Sequence, residues 1–183
     1  MDTTRLPATA PRYALRARLF HWWMFGFVAL AYLFVNLIDV YERGTPIRRA
    51  VTQSHFLAGL VVLALVLPRL LHRMRNAAPP IVPPIANWEA QFSRLTHFLL
   101  YAFLLVQPLM GLTSLWLNGR GVGIPFTTLE LPSPFAKSHD LAEQIEEIHG
   151  WIGTVFYYVI GLHIIAALWH HFYRRDNTLK RML

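Results

Sequence analysis

The chain contains no cysteine. That single absence excludes disulfides, thiolate metal sites, iron–sulfur clusters and covalently attached c-type haem, so any metal must be held by histidine or carboxylate. Charge is also scarce: Asp, Glu, Lys and Arg make up 15% of the 183 residues, and only ten residues are acidic. With 55% hydrophobic residues and a mean hydropathy of +0.36, a chain this poor in charge reads as a membrane protein. No internal repeat is present, and no segment between the apolar runs is long enough to fold as a separate soluble domain. A net charge of +7 and a pI near 10.2 raise the question of a nucleic-acid partner. Such a partner needs a basic solvated face, whereas here Lys and Arg sit in short blocks between apolar runs, so none is expected.

What the chain does have is four apolar runs of membrane-spanning length, at about 19–40, 49–73, 89–117 and 141–174. The expected fold class is all-α, an integral membrane four-helix bundle over 19–174. It is flanked by an N-terminal tail, 1–18, and a C-terminal tail, 175–183. Arg5, Arg12, Arg16 and Arg18 together with Pro7 and Pro11 mark the first tail as short and poorly ordered. The first run is too long for a signal-peptide core and lacks a small-residue cleavage site. The connector AAPPIVPPIANW cannot continue a helix, and Pro108 predicts a kink in helix 3. A Gly- and Pro-rich loop, NGRGVGIPFTTLELPSPFAK, is the longest polar excursion. Ser138 or Asp140 is expected to cap helix 4, whose acidic first turns, LAEQIEEI, suit a helix N-terminus.

Four spans put both termini on one side, and the basic residues indicate which. The N-tail, the connector region (Arg69, Arg73, Arg75, Arg94) and the C-tail (Arg174, Arg175, Lys180, Arg181) hold four Lys or Arg each. The opposite side holds five: Arg43, Arg48, Arg49, Arg120 and Lys137. Both termini are therefore expected to be cytoplasmic.

On this topology the histidines fall at matched depths. His149 and His163 in helix 4 are fourteen residues apart, which returns them to within about 40° of one direction and separates them by roughly 21 Å along the axis. His55, early in helix 2, is level with His149 near the outer edge. His21, opening helix 1 beside Trp22 and Trp23, lies in the inner half with His163. Two bis-histidine pairs follow, and such pairing gives six-coordinate haem iron suited to electron transfer. Zinc would want three or four ligands at one level. His170 is seven residues beyond His163 on nearly the same face, and geometry alone leaves it as an alternative partner of His21. Gly59 and Gly153 each follow an outer histidine by four residues; they fit either a slot for a porphyrin or ordinary helix packing. His97 fits a quinone hydrogen bond, a haem neighbour or an interfacial histidine. Arg69 fits a haem propionate or simple snorkelling. His72, His139 and His171 read as structural.

Several stretches carry a family resemblance: Arg18-Leu-Phe-His-Trp-Trp in helix 1, Ser54-His-Phe-Leu-Ala-Gly59 in helix 2, His149-Gly and Gly161-Leu-His-Ile-Ile-Ala-Ala-Leu-Trp-His-His171 in helix 4, and the closing Asp176-Asn-Thr-Leu. From about Tyr13 onward the chain resembles the bacterial cytochrome b561 family. More distantly it is similar to the cytochrome b subunits of membrane hydrogenases and formate dehydrogenases. The resemblance implies two haem b groups, with the ligand pattern falling on His21, His55, His149 and His163, and so prefers His163 to His170. It also implies a bacterial inner (plasma) membrane location and electron transfer with a quinone as partner. The best-defined activity it implies is superoxide oxidation outside coupled to ubiquinone reduction near the cytoplasmic side; from their own positions, His97 and His170 are the candidate quinone contacts. The alternative it leaves is a relay subunit passing electrons between quinol and another redox protein. An anionic substrate is helped by positive charge, yet the outer segments carry seven acidic residues against their five basic ones. A local cluster among Arg43, Arg48, Arg49, Arg120 and Lys137 would have to supply the attraction.

Overall fold

The computed structural model describes residues 12–123 and 130–183. Four long helices dominate it: α1 (Leu15–Ile38), α2 (Pro46–Arg75), α3 (Asn87–Leu117) and α4 (His139–Trp169), the last continued by one π-helical turn over His170–Arg174. Each is long and apolar enough to cross a membrane. Large apolar side chains such as Leu33, Phe98, Trp151 and Ile165 point outward, as expected where lipid rather than water is the outer solvent. A two-residue antiparallel ladder, β1 (Val122–Gly123) with β2 (Glu130–Leu131), braces the α3–α4 loop.

The helix ends differ from expectation by a few residues, for identifiable reasons. Helix α1 begins at Leu15, so Arg16 and Arg18 belong to the helix and not to the tail. The expected disorder of the first residues concerns a stretch that, up to residue 11, lies outside the described residues. Helix α2 starts at Pro46, where a missing N–H costs nothing, and the Thr45 hydroxyl accepts the Arg48 N–H at 3.3 Å. At the start of α3 the Glu89 carboxylate accepts the Ala86 N–H at 2.8 Å and also pairs with Arg174 at 3.0 Å. Ser138 stands at the N-cap of α4, but its side chain makes no capping bond; Asp140 in the first turn supplies the favourable charge. Pro68 and Pro108 both lie inside continuous helices. Gly119, just past the end of α3, takes φ of +71°, the left-handed conformation that closes a helix at low cost when the residue is glycine.

The helices run alternately up and down, as cross-helix contacts show. Arg48, at the start of α2, donates to the carbonyls of Ile38 at 2.6 Å and Tyr41 at 2.8 Å and pairs with Asp39 at 3.1 Å. At the far end of the same pair, Arg69 of α2 meets His21 of α1. Between α3 and α4 the ladder steps from Ser114 with Glu146, through Gln107 with His149 and a stacked Phe103–Phe156 pair at 4.1 Å, to His97 with His163. Helix α1 packs on α2, α2 on α3 and α3 on α4. Among the described residues, however, no Cα of α4 comes within 8 Å of α1 or α2. Packed helices normally sit 8–10 Å apart axis to axis, which brings many Cα pairs inside that limit. A cleft therefore runs between α4 and the α1–α2 hairpin.

The C-terminal segment is folded against the rest of the chain. Asn177 brackets the proline connector: its side-chain oxygen accepts the Val82 N–H at 2.8 Å, its own N–H donates to the Val82 carbonyl at 3.1 Å, and its Nδ2 donates to Pro80 at 3.3 Å. Arg181 donates to the Pro79 carbonyl, Tyr13 N–H to Arg181, and Trp22 Nε1 to Met182 at 2.9 Å. Asp176, Asn177 and Arg181 are buried as a result. One end of the bundle is thus closed by three segments distant in sequence.

Arg48 holds the turn between α1 and α2 by satisfying carbonyls at the end of α1. Replacing Arg48 by Ala should lower stability in detergent by about 1–3 kcal/mol, while replacing the exposed neighbour Arg49 should change it by less than about 0.5 kcal/mol. Thermal or denaturant unfolding of the two variants checks this.

Candidate functional site: paired histidines across the cleft

Two pairs of imidazoles face each other across the cleft. His55 of α2 and His149 of α4 have ring centres 6.2 Å apart. His21 of α1 and His163 of α4 are 6.4 Å apart. Imidazoles on opposite sides of one metal, each at a bond length of about 2.0–2.1 Å, have ring centres about 6.3 Å apart. Both pairs have a ring separation at which two imidazoles could share one metal. Among the described residues, no group of three or more His, Cys, Asp or Glu is placed to hold a metal ion, so a compact site of the zinc type is not built here.

The surroundings of each ring bear on its chemistry. His55 Nδ1–H donates to the Ala31 carbonyl at 2.9 Å, which fixes the tautomer and leaves Nε2 with a free lone pair. His149 lies over Gly111 of α3, where an added Cβ would come within 3.5 Å of its Cε1; its Nδ1 is buried without a hydrogen-bond partner. His21 differs. Its Nδ1 accepts from Arg69 at 3.2 Å, because a guanidinium can only donate. An imidazole that ligates through Nε2 carries its proton on Nδ1, so ligation at His21 requires Arg69 to turn away.

The inner site draws on all four helices. Arg69 donates through Nε to the Tyr101 hydroxyl at 3.2 Å, and its third nitrogen is buried without a partner. His97 of α3 places its ring 5.4 Å from that of His163, with its Nδ1–H bonded to the Ser93 carbonyl at 2.6 Å. His170 is not brought to His21. It is held instead by Asp176, Nδ1 to Oδ2 at 2.5 Å, in the π-helical turn that ends α4. Burial acts to raise the Asp176 carboxyl, but hydrogen bonds from His170 and from Thr178 outweigh it and hold its pKa below the ordinary 3.8.

The two glycines fare differently. A Cβ at Gly59 would meet nothing within 4 Å, so open space adjoins His55 on α2. A Cβ at Gly153 would lie 3.3 Å from the Gln107 amide, and the Gly153 carbonyl accepts from Tyr32 at 2.7 Å; this glycine lies at a helix contact. Gln107, Gly111 and Tyr101, all on α3, escaped the histidine-centred sequence argument. A signal for Gln107 was available, since it is a lone amide inside the apolar run of a membrane span.

A family model for prokaryotic cytochrome b561 matches residues 12–183. The chain belongs to this family. Among the relatives of this cytochrome b561 chain is cytochrome b561 homolog 1 of Escherichia coli (strain K12), 32% identical over 89% of this chain and 92% of the relative. The probable superoxide oxidase CybB of Yersinia pestis is 30% identical over 89% of this chain and 90% of its own. Cytochrome b561 homolog 2 of E. coli is 25% identical over 96% and 93%. Membership implies haem b binding, and the facing imidazoles and the open cleft fit such a group. The cytochrome b561 chain is accordingly a multi-pass membrane protein of the oxidoreductase class.

The Asp176 carboxyl anchors the closing turn of α4 while ionised. Because its pKa is lowered on folding, its contribution is complete above the ordinary carboxyl value and is lost as pH falls through the lower folded one. Asp176→Asn should therefore cost about 1.5–3 kcal/mol near neutral pH. The gap to wild type should close as pH drops below that of a free carboxyl, as unfolding curves at several pH values would show.

Proposed function

We propose that this protein is a di-haem cytochrome b that takes electrons from superoxide at the outer face and delivers them to ubiquinone near the inner face. The observation that carries the reading is the two imidazole pairs, each at a separation at which both rings could hold one metal and each spanning the same cleft. Haem b, when bound, supplies a one-electron carrier in the hydrocarbon layer. His55 and His149 hold the outer group and His21 and His163 the inner one. Gly59 leaves room beside His55, with Gly153 keeping α3 and α4 close at the same level. Arg69, with one donor already unpartnered and two more released from His21 and Tyr101, is suited to a propionate.

Two superoxide anions give one electron each and leave as dioxygen; ubiquinone takes both electrons with two protons and leaves as quinol. His97, beside His163, and His170, near the closing turn of α4, are the candidate contacts for the quinone head group. The Asp176 carboxylate holds the His170 ring in place through Nδ1. The excess of basic residues in the tails and connector supports a topology with both termini on the cytoplasmic side of a bacterial inner membrane. A relative named as a probable superoxide oxidase, at 30% identity, supports this choice of donor. Arg48 is engaged by carbonyls and Asp39, so attraction of the anion falls to the exposed Arg43, Arg49, Arg120 and Lys137.

The test is made in proteoliposomes containing ubiquinone. Superoxide alone should reduce the quinone, and His55→Ala and His163→Ala should each lose one of the two haems and most of the rate. Quinol formation only after a soluble redox protein is added would replace the enzyme with a relay.

A further inference from the structure

The outer pair has a polar neighbour that the ligand pattern does not include. Gln107 of α3 is 8% exposed, and its Nε2 donates to the His149 carbonyl at 2.9 Å. Its Oε1 is buried with no hydrogen-bond partner, and so is His149 Nδ1. A buried acceptor and a buried ring nitrogen are thus both unsatisfied on two residues already in contact, at an energetic cost that a low-dielectric interior makes large. Glycine keeps the amide unhindered: a Cβ at Gly153 would lie 3.3 Å from the Gln107 amide nitrogen, closer than an ordinary contact, while one at Gly111 would just touch the His149 ring at 3.5 Å.

We propose that Gln107 is a positioning residue for His149, its Oε1 accepting the Nδ1–H of the imidazole when Nε2 is ligated. The amide is anchored by its nitrogen on the His149 carbonyl, and its oxygen satisfies the ring of the same residue. One carboxamide then fixes both the tautomer and the rotation of the ring. His55 obtains the same service from the Ala31 carbonyl, so both outer rings are held through Nδ1 by an oxygen. An accepted Nδ1–H makes the imidazole a stronger donor to the metal, which favours the oxidised form of the outer centre.

This inference rests on the haem reading above, and its test keeps the two apart. Redox titration of the wild type, with the outer component identified as the one missing from His55→Ala, is compared with Gln107→Leu and Gln107→Glu. Gln107→Leu removes the acceptor and should shift the outer centre toward its reduced form about tenfold at fixed ambient potential, which is ~59 mV for a one-electron couple. The inner centre should not move. Gln107→Glu keeps an oxygen in place and should hold the outer ratio or shift it toward the oxidised form. An unchanged outer centre in Gln107→Leu, or a shift toward the reduced form in both variants, would overturn the assignment, whereas a wild type without haem would overturn the reading beneath it. If Gln107→Leu does not fold, the direction in Gln107→Glu decides.

Discussion

Everything in this molecule depends on the cost of placing a polar side chain where no water can reach it. A lipid interior offers no hydrogen-bond partners, so each imidazole in the spans must be satisfied by the chain or by a ligand. His55 and His97 meet backbone carbonyls through Nδ1, and His21 meets Arg69. All four cleft histidines nevertheless face a partner ring across the gap. Helix α4, whose backbone stands off from α1 and α2 and meets α1 through side chains such as Tyr32 and Tyr157, fits that constraint. Two apolar helices would close the gap to gain van der Waals contact. Here the width of the gap matches two imidazoles with a metal between them, at both levels.

Much of this was legible in the sequence because few physical alternatives exist in a membrane. Apolar length gave four helices, and alternating direction then fixed which histidines could be level. His55 with His149 and His21 with His163 follow from depth and from the fourteen-residue spacing in α4. Choosing His163 over His170 required more than spacing, since both lie on one face. The structure shows the local reason they differ: a π-turn and Asp176 hold His170 in the closing turn, while His163 faces His21. Contacts on α3 were the least legible part. Gln107 and Gly111 carry no periodic signal and matter only through the neighbour that α4 brings to them. Gly59 and Gly153 look alike in sequence, each one turn past a histidine, but one adjoins open space and the other a packed amide.

The C-terminal residues show how a short motif acts through tertiary contacts. Asp176 and Asn177 are adjacent in sequence, yet one anchors the last turn of α4 and the other fastens the proline connector. Together with Arg181 and Trp22 they fix the end of the bundle at which His21, His97, His163 and Arg69 converge. A connector without a helix of its own cannot hold that geometry, and in sequence Asn177 and Arg181 looked like a tail because their partners in the connector, Val82, Pro80 and Pro79, are far from them along the chain.

The account stands or falls on whether the cleft holds two six-coordinate centres. Haem quantified per chain on the purified protein, with a reduced-minus-oxidised optical spectrum and a low-temperature electron paramagnetic resonance spectrum of the oxidised form, measures this directly. Two b-type haems per chain, both low-spin with two nitrogen ligands, are predicted. A haem-free protein after expression with ample haem, or one whose centres are high-spin with an open position, would contradict it.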